Sequence, residues 1–170
     1  TDAVYKKLGR KAPKSQVRKV PLPGGGTSDF EAYAAGFKAA TNIPEVLSER
    51  LLKLYGTRAS EVLALAGDDP ELLEPLASGP ATVENGLIGA EVLWAFREEM
   101  AQTLADALLR RTMVGYDANV GLDVDEAAAE VAVKHLGWDE ERAEREVREY
   151  REWIERYNPK QFRERQSAGA

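Results

Sequence analysis

The stretch Leu87–Thr112, LIGAEVLWAFREEMAQTLADALLRRT, governs how the rest of the chain is read. Its apolar residues recur at Ile88, Val92, Phe96, Met100, Leu104 and Leu108, every fourth position, and Leu93, Ala101 and Ala107 widen the same stripe. A helix of 3.6 residues per turn brings such positions onto one face, which must then be buried. No Pro or Gly interrupts the run after Gly89, and the residues between are mostly good helix formers. Pattern and propensity agree, so the sequence predicts one long helix across the stretch.

Outward from it the punctuation is also helical. Ser28 with Glu31 forms a capping-box signature ahead of Phe30, Tyr33, Ala34 and Phe37, which predicts a short helix over 29–40. Asn42, ahead of Ile43 and Pro44, reads as the N-cap of a second helix over 44–55, whose stripe of Val46, Leu47, Leu51, Leu54 and Tyr55 stops at Gly56. Thr57 reads as the cap of ASEVLALAG, ending at Gly67, and Pro70 as the start of a short helix, ELLEPLA, before the Gly79-Pro80 break. Residues 82–88 leave room for one short extended segment. Downstream, Gly115–Gly121 reads as a loop, Asp123 with Glu126 as a capping box for DEAAAEVAVKHLG, and Asp139 as the cap of a final helix with a seam of Ala143, Val147, Tyr150, Ile154 and Tyr157. Asn158-Pro159 ends that helix, and the tail QFRERQSAGA is expected to be disordered.

The expected fold is therefore all-α, a single domain of five to seven helices at 29–158. A chain of 170 residues can bury roughly 70% of its unfolded surface without covalent staples. It has no cysteine, which removes disulfides and thiolate chemistry and is compatible with a reducing, cytoplasmic setting. No apolar run approaches the ~20 residues of a bilayer span. The net charge of −6 conceals an asymmetry: residues 1–28 carry +6 and residues 29–170 carry −12. That basic arm combines Pro13, Pro21 and Pro23 with Gly24, Gly25 and Gly26, the composition of a linker. A basic arm can also meet phosphates or an anionic membrane. The chain opens on Thr1, and the short apolar-periodic piece Ala3, Val4 and Leu8 stops at Gly9, as though a helix of something upstream ended there.

Chemistry-bearing residues are sparse. His135, the only histidine, sits near a predicted helix end, where a favourable dipole interaction explains it, and no Glu-x-x-His or Ser-His pair can be assembled around it. Gly24, Gly25 and Gly26 lack both the spacing of a dinucleotide fingerprint and a P-loop lysine. Asp106 and Arg110, four apart, can pair on one helix face. Adjacent Arg110 and Arg111 point about 100° apart, so one can serve the domain while the other presents its guanidinium fork to a partner. Arg110, Arg111 and Thr112 are the candidate inter-domain contact; no catalytic, cofactor-binding or metal-binding residue is assigned.

Four motifs in this order, Ala90-Glu91-Val92, Arg97-Glu98-Glu99, Arg110-Arg111-Thr112 and Leu136-Gly137-Trp138-Asp139, resemble the helical C-terminal domain of the FAD-dependent glycerol-3-phosphate dehydrogenase family, which includes the glycerophosphate oxidases. The arm, with Pro21-Leu22-Pro23-Gly24-Gly25, looks like that family's connector from its flavin domain. The resemblance implies a parent enzyme that oxidises glycerol 3-phosphate to dihydroxyacetone phosphate, with FAD bound in an N-terminal domain and none bound here. It divides the chain into the end of that domain and a linker at 1–28, a cap domain at 29–158 and a tail at 159–170. The implied partners are the flavin domain of the same chain and a second copy in a homodimer, with the parent cytoplasmic or peripheral on the cytoplasmic membrane and no nucleic acid bound. The competing expectation is an independent interaction module whose basic arm binds an anionic membrane or nucleic acid.

Overall fold

The computed structural model describes residues 2–77 and 86–156. Among them the regular elements are helices: α1 (Asp2–Lys7), α2 (Phe30–Ala40), α3 (Glu45–Tyr55), α4 (Ala59–Ala64), α5 (Gly89–Arg97), α6 (Asp125–Leu136) and α7 (Glu140–Glu155). Three 3-10 turns at Gly56–Arg58, Pro70–Leu73 and Val114–Tyr116 and one π-helical segment, Asp106–Arg111, complete the set. The all-α expectation holds.

Helix α5 is the axis of the fold because its first seven residues have no solvent face: every residue from Gly89 to Ala95 is buried. Ala90 and Trp94 turn toward Leu47, Leu51 and Tyr55 of α3 and Val62 of α4. Val92 and Leu93 turn the other way, into a core with Leu104, Leu108, Ala128 and Ala132 of α6, and Tyr150 and Ile154 of α7. A helix apolar all round must be enclosed all round, and each large side chain so buried contributes about 1.5–3 kcal/mol.

The predicted single helix over Leu87–Thr112 is two elements. α5 stops at Arg97, and Met100 adopts a left-handed conformation, φ +62°, the role at a helix C-terminus usually taken by Gly. The Ala101 N–H turns back to the Ala95 carbonyl at 2.9 Å. A new helical start follows. Thr103 Oγ1 accepts from the Asp106 N–H at 3.1 Å while Asp106 Oδ2 accepts from the Gln102 and Thr103 N–H groups at 3.1 Å each, a reciprocal capping box. Glu146 of α7 adds a third acceptor, taking the Leu104 N–H at 2.8 Å. The reversal lets Ala95, Ala101 and Ala107 pack together, and it puts Met100 at 82% exposure rather than in the buried stripe.

Several caps also differ from expectation. Asp29, not Ser28, caps α2, its carboxylate accepting from the Ala32 N–H at 3.0 Å, because a charged acceptor at a helix start outcompetes a hydroxyl. Asn42 does not cap α3, which begins after Pro44, whose carbonyl accepts from Leu47 and Ser48. Thr57 does not cap α4; its hydroxyl accepts from the Gly26 N–H at 3.2 Å, and a 3-10 turn leads into the helix instead. ELLEPLA is helical only over Pro70–Leu73, because Asp69 caps a 3-10 turn there and Pro75 pairs with Ile88 in an antiparallel bridge. Asp123 does not cap α6; it accepts from Asn119 Nδ2 at 3.0 Å, and Val124 begins the helix without a side-chain cap. Asp139 does cap α7, accepting from the Arg142 N–H at 2.7 Å, and Gly137 closes α6 with φ +72°. The seam of α7 buries Val147, Tyr150 and Ile154. Tyr157, the tail and most of the suggested extended segment at 82–88 lie outside the described residues.

Part of the arm is docked. Gly24 accepts from the Thr57 N–H at 2.9 Å, and a Cβ on Gly24 would stand 2.5 Å from the Tyr55 carbonyl oxygen, so only glycine permits this approach. The arm before it carries Val4, Leu8, Val17, Val20 and Leu22 exposed.

Candidate functional site

A single Glu interrupts the apolar run of α5, and it forms the centre of a buried polar cluster. Glu91 is 0% exposed. Its carboxylate accepts from Arg50 Nε of α3 at 3.2 and 3.3 Å, from the Tyr55 hydroxyl at 3.2 Å and from the Ile88 N–H at 3.2 Å, where it also caps its own helix. Arg50, 4% exposed, reaches on to donate through Nη2 to the Thr112 carbonyl at 2.8 Å. One guanidinium thus ties α3 to the start of α5 and to the end of the π-helical segment. Burial pushes the Glu91 carboxyl above the usual carboxylate range, opposed by Arg50, the Ile88 N–H and the Tyr55 hydroxyl. Burial also drives the Tyr55 phenol well above its ordinary value, with the negative charge of Glu91 acting in the same direction.

The three residues expected at an inter-domain contact lie together at the end of this second element, but they do not share one environment. Thr112 is fully buried: its hydroxyl donates to the Ala107 carbonyl at 3.0 Å and its own carbonyl is taken by Arg50. Arg110 is exposed and paired with Asp106 four residues earlier. Arg111 is exposed. Met113 follows with φ +64° and 48% exposure, and Tyr116, whose N–H donates to the Met113 carbonyl at 3.1 Å, is 71% exposed.

The remaining sequence candidates do structural work. His135 Nε2 lies 3.3 Å from Asp69 Oδ2, and its carbonyl accepts from Arg97 Nη2 at 3.0 Å, which fastens the end of α6 to the turn at Pro70 and to α5. Gly24 and Gly26 lean on Tyr55–Thr57. Among the described residues no group of three or more His, Asp or Glu side chains is arranged to hold a metal, and no helix is long and apolar enough to cross a membrane. Sequence reasoning missed Arg50 and Glu91 as a pair. A lone acid within AEVLWAF was the available signal for a buried, partnered carboxylate.

The family described as the C-terminal domain of alpha-glycerophosphate oxidase matches residues 15–143. The chain belongs to that family. The motifs that carried the resemblance are the structural supports of this oxidase-type C-terminal domain: Glu91 anchors Arg50, Gly137 ends α6, and Asp139 caps α7. Trp138 packs edge-on against Phe96 at 5.4 Å with Arg142 stacked over it at 4.3 Å. Among relatives, the chain is 31% identical over 155 residues to a glycerol-3-phosphate dehydrogenase of Synechocystis sp., covering 91% of this chain and 27% of that protein. It is 36% identical over 106 residues to glycerol-3-phosphate dehydrogenase 2 of Mycobacterium tuberculosis, covering 62% of this chain and 17% of that protein. The chain therefore spans about a quarter or less of the length of these relatives.

Proposed function

We propose that this chain is the accessory C-terminal helical domain of an FAD-dependent glycerol-3-phosphate dehydrogenase or oxidase, packing on the N-terminal flavin domain and carrying no chemistry alone. The family match over residues 15–143 supports the reading most directly, and the names of the long relatives give the parent reaction: oxidation of the secondary alcohol of sn-glycerol 3-phosphate to the ketone of dihydroxyacetone phosphate. FAD is the electron acceptor supplied by the flavin domain. The buried charges support a scaffolding role, since Arg50, Glu91, Asp125 and Glu146 are all engaged in tying helix to helix or helix to chain. Homodimer formation and a peripheral position on the cytoplasmic membrane belong to the same reading of the parent; sizing the purified parent and testing its release from membranes at raised salt read them out.

The direct test mixes the purified domain with FAD and glycerol 3-phosphate. The expected result is no bound-flavin absorbance and no reduction of an electron-accepting dye, with both signals present in the full-length parent. A flavin spectrum or dye reduction from the domain alone would overturn the reading.

A further inference from the structure

Among the described residues outside the arm, the exposed large apolar side chains are Phe30, Met100, Met113 and Tyr116, and three of these four fall within one segment of seventeen residues flanking the π-helical turn. Met100 precedes that turn and Met113 follows it, and both hold positive φ, +62° and +64°, a conformation that non-glycine residues seldom adopt. Core contacts impose that backbone on each side: the Ala101 N–H is held by the Ala95 carbonyl, and the Thr112 carbonyl by Arg50. The fold thus holds two unfavourable backbone conformations rigidly while leaving the attached methionines uncovered. Arg110 and Arg111 stand between them on the same segment. Met, Tyr and Arg are the residue types enriched at the centres of protein interfaces, where Lys and Glu are depleted.

The position of this strip bears on what covers it. The domain is described as C-terminal in its family and spans 27% of the length of its Synechocystis relative, so the rest of such a parent joins through the arm. The arm is fixed where Gly24 and Gly26 meet Tyr55–Thr57, at the end of α3. Arg50, five residues back on the same helix and about 7.5 Å along its axis, holds Thr112. The docked end of the arm and the end of the strip at Thr112 are therefore both held by one helix, α3.

We propose that Met100, Arg111, Met113 and Tyr116 form the docking surface for the flavin domain of the parent polypeptide, an inference that rests on the function proposed above. The flavin-domain face that fits it offers an apolar recess for Met113 and Tyr116 and a carboxylate for the Arg111 guanidinium.

The test uses the full-length parent with a site-specific protease sequence inserted after Lys14, in the exposed part of the arm. After cleavage of the wild type, the helical domain is expected to co-elute with the flavin domain on size exclusion. In Met113→Asp/Tyr116→Asp it is expected to elute free, with the apparent Kd raised at least thirtyfold, roughly the effect of losing one interface anchor. Asp tolerates a left-handed backbone better than Met, so the double variant should melt no earlier than wild type by circular dichroism; if it misfolds, Arg111→Glu takes its place. Co-elution of the cleaved variant as tightly as wild type sinks the strip and leaves the accessory-domain reading intact. Separation of the cleaved wild type sinks that reading itself. A variant that turns a dimeric parent monomeric with its domain still bound assigns the strip to a second copy and also overturns the proposal.

Discussion

Glu91 and Arg50 sit 41 positions apart in the chain, and each supplies the opposite charge that the other has in the interior. Buried ion pairs add little net stability, since desolvation offsets the attraction, but removing one partner strands a charge. Glu91→Leu should therefore cost about 3–5 kcal/mol, and the double variant Arg50→Met/Glu91→Leu less than the sum of Arg50→Met and Glu91→Leu. Urea unfolding of all four proteins in a double-mutant cycle measures this; strict additivity would mean the two side chains do not depend on each other. Thr112 shows how a motif residue can mislead: beside two exposed arginines it reads as part of a contact, yet its hydroxyl and carbonyl both serve the interior.

Two signals competed within Leu87–Thr112 at the level of the element. The four-residue apolar periodicity spoke for continuity, while Thr103 and Asp106, a Thr-x-x-Asp start signature in the middle of it, spoke for a new helix. The start signature wins because Glu146 reinforces it and because the reversal buries Ala101 against Ala95. Met100→Gly distinguishes the two by sign. In a continuous helix it would lower stability by about 1 kcal/mol; at φ +62° it should raise it by roughly 0.5–1 kcal/mol, seen as a higher Tm.

The same capping box has a pH signature. Burial raises the Asp106 carboxyl, but the N–H groups of Gln102 and Thr103, the Thr103 hydroxyl and Arg110 outweigh it, so its pKa lies below the ordinary 3.8. A pKa depressed by folding contributes stability that is complete above the unfolded value and is lost as pH falls through the folded one. Wild type should therefore be more stable than Asp106→Asn at pH 6, by about 1 kcal/mol, and the gap should narrow as pH falls below 3.8. A gap that stays constant across a denaturation series from pH 6 to 2.5 would rule out the carboxylate as the source.

For the whole molecule, two apolar layers share α5, and the basic arm is fixed to the end of α3 before it reaches the acidic body. That arrangement hangs the docked end of the arm, at Gly24 and Gly26, and Thr112 from the same helix, although nearly 90 residues of sequence separate them. Gly24 and Gly26, within the stretch read as a linker by composition, pack against Tyr55–Thr57.

The helical class, the Gly137 and Asp139 boundaries and the family motifs were legible in the sequence because each depends on contacts within one or two turns, where spacing and residue type carry the physics. The break at Met100, the burial of Glu91 and the anchoring of Thr112 were decided by tertiary structure. Their partners stand 41, 42 and 62 residues away, at Glu91 from Arg50, Leu104 from Glu146 and Thr112 from Arg50, and no local periodicity encodes a hydrogen bond that closes only when three helices have packed.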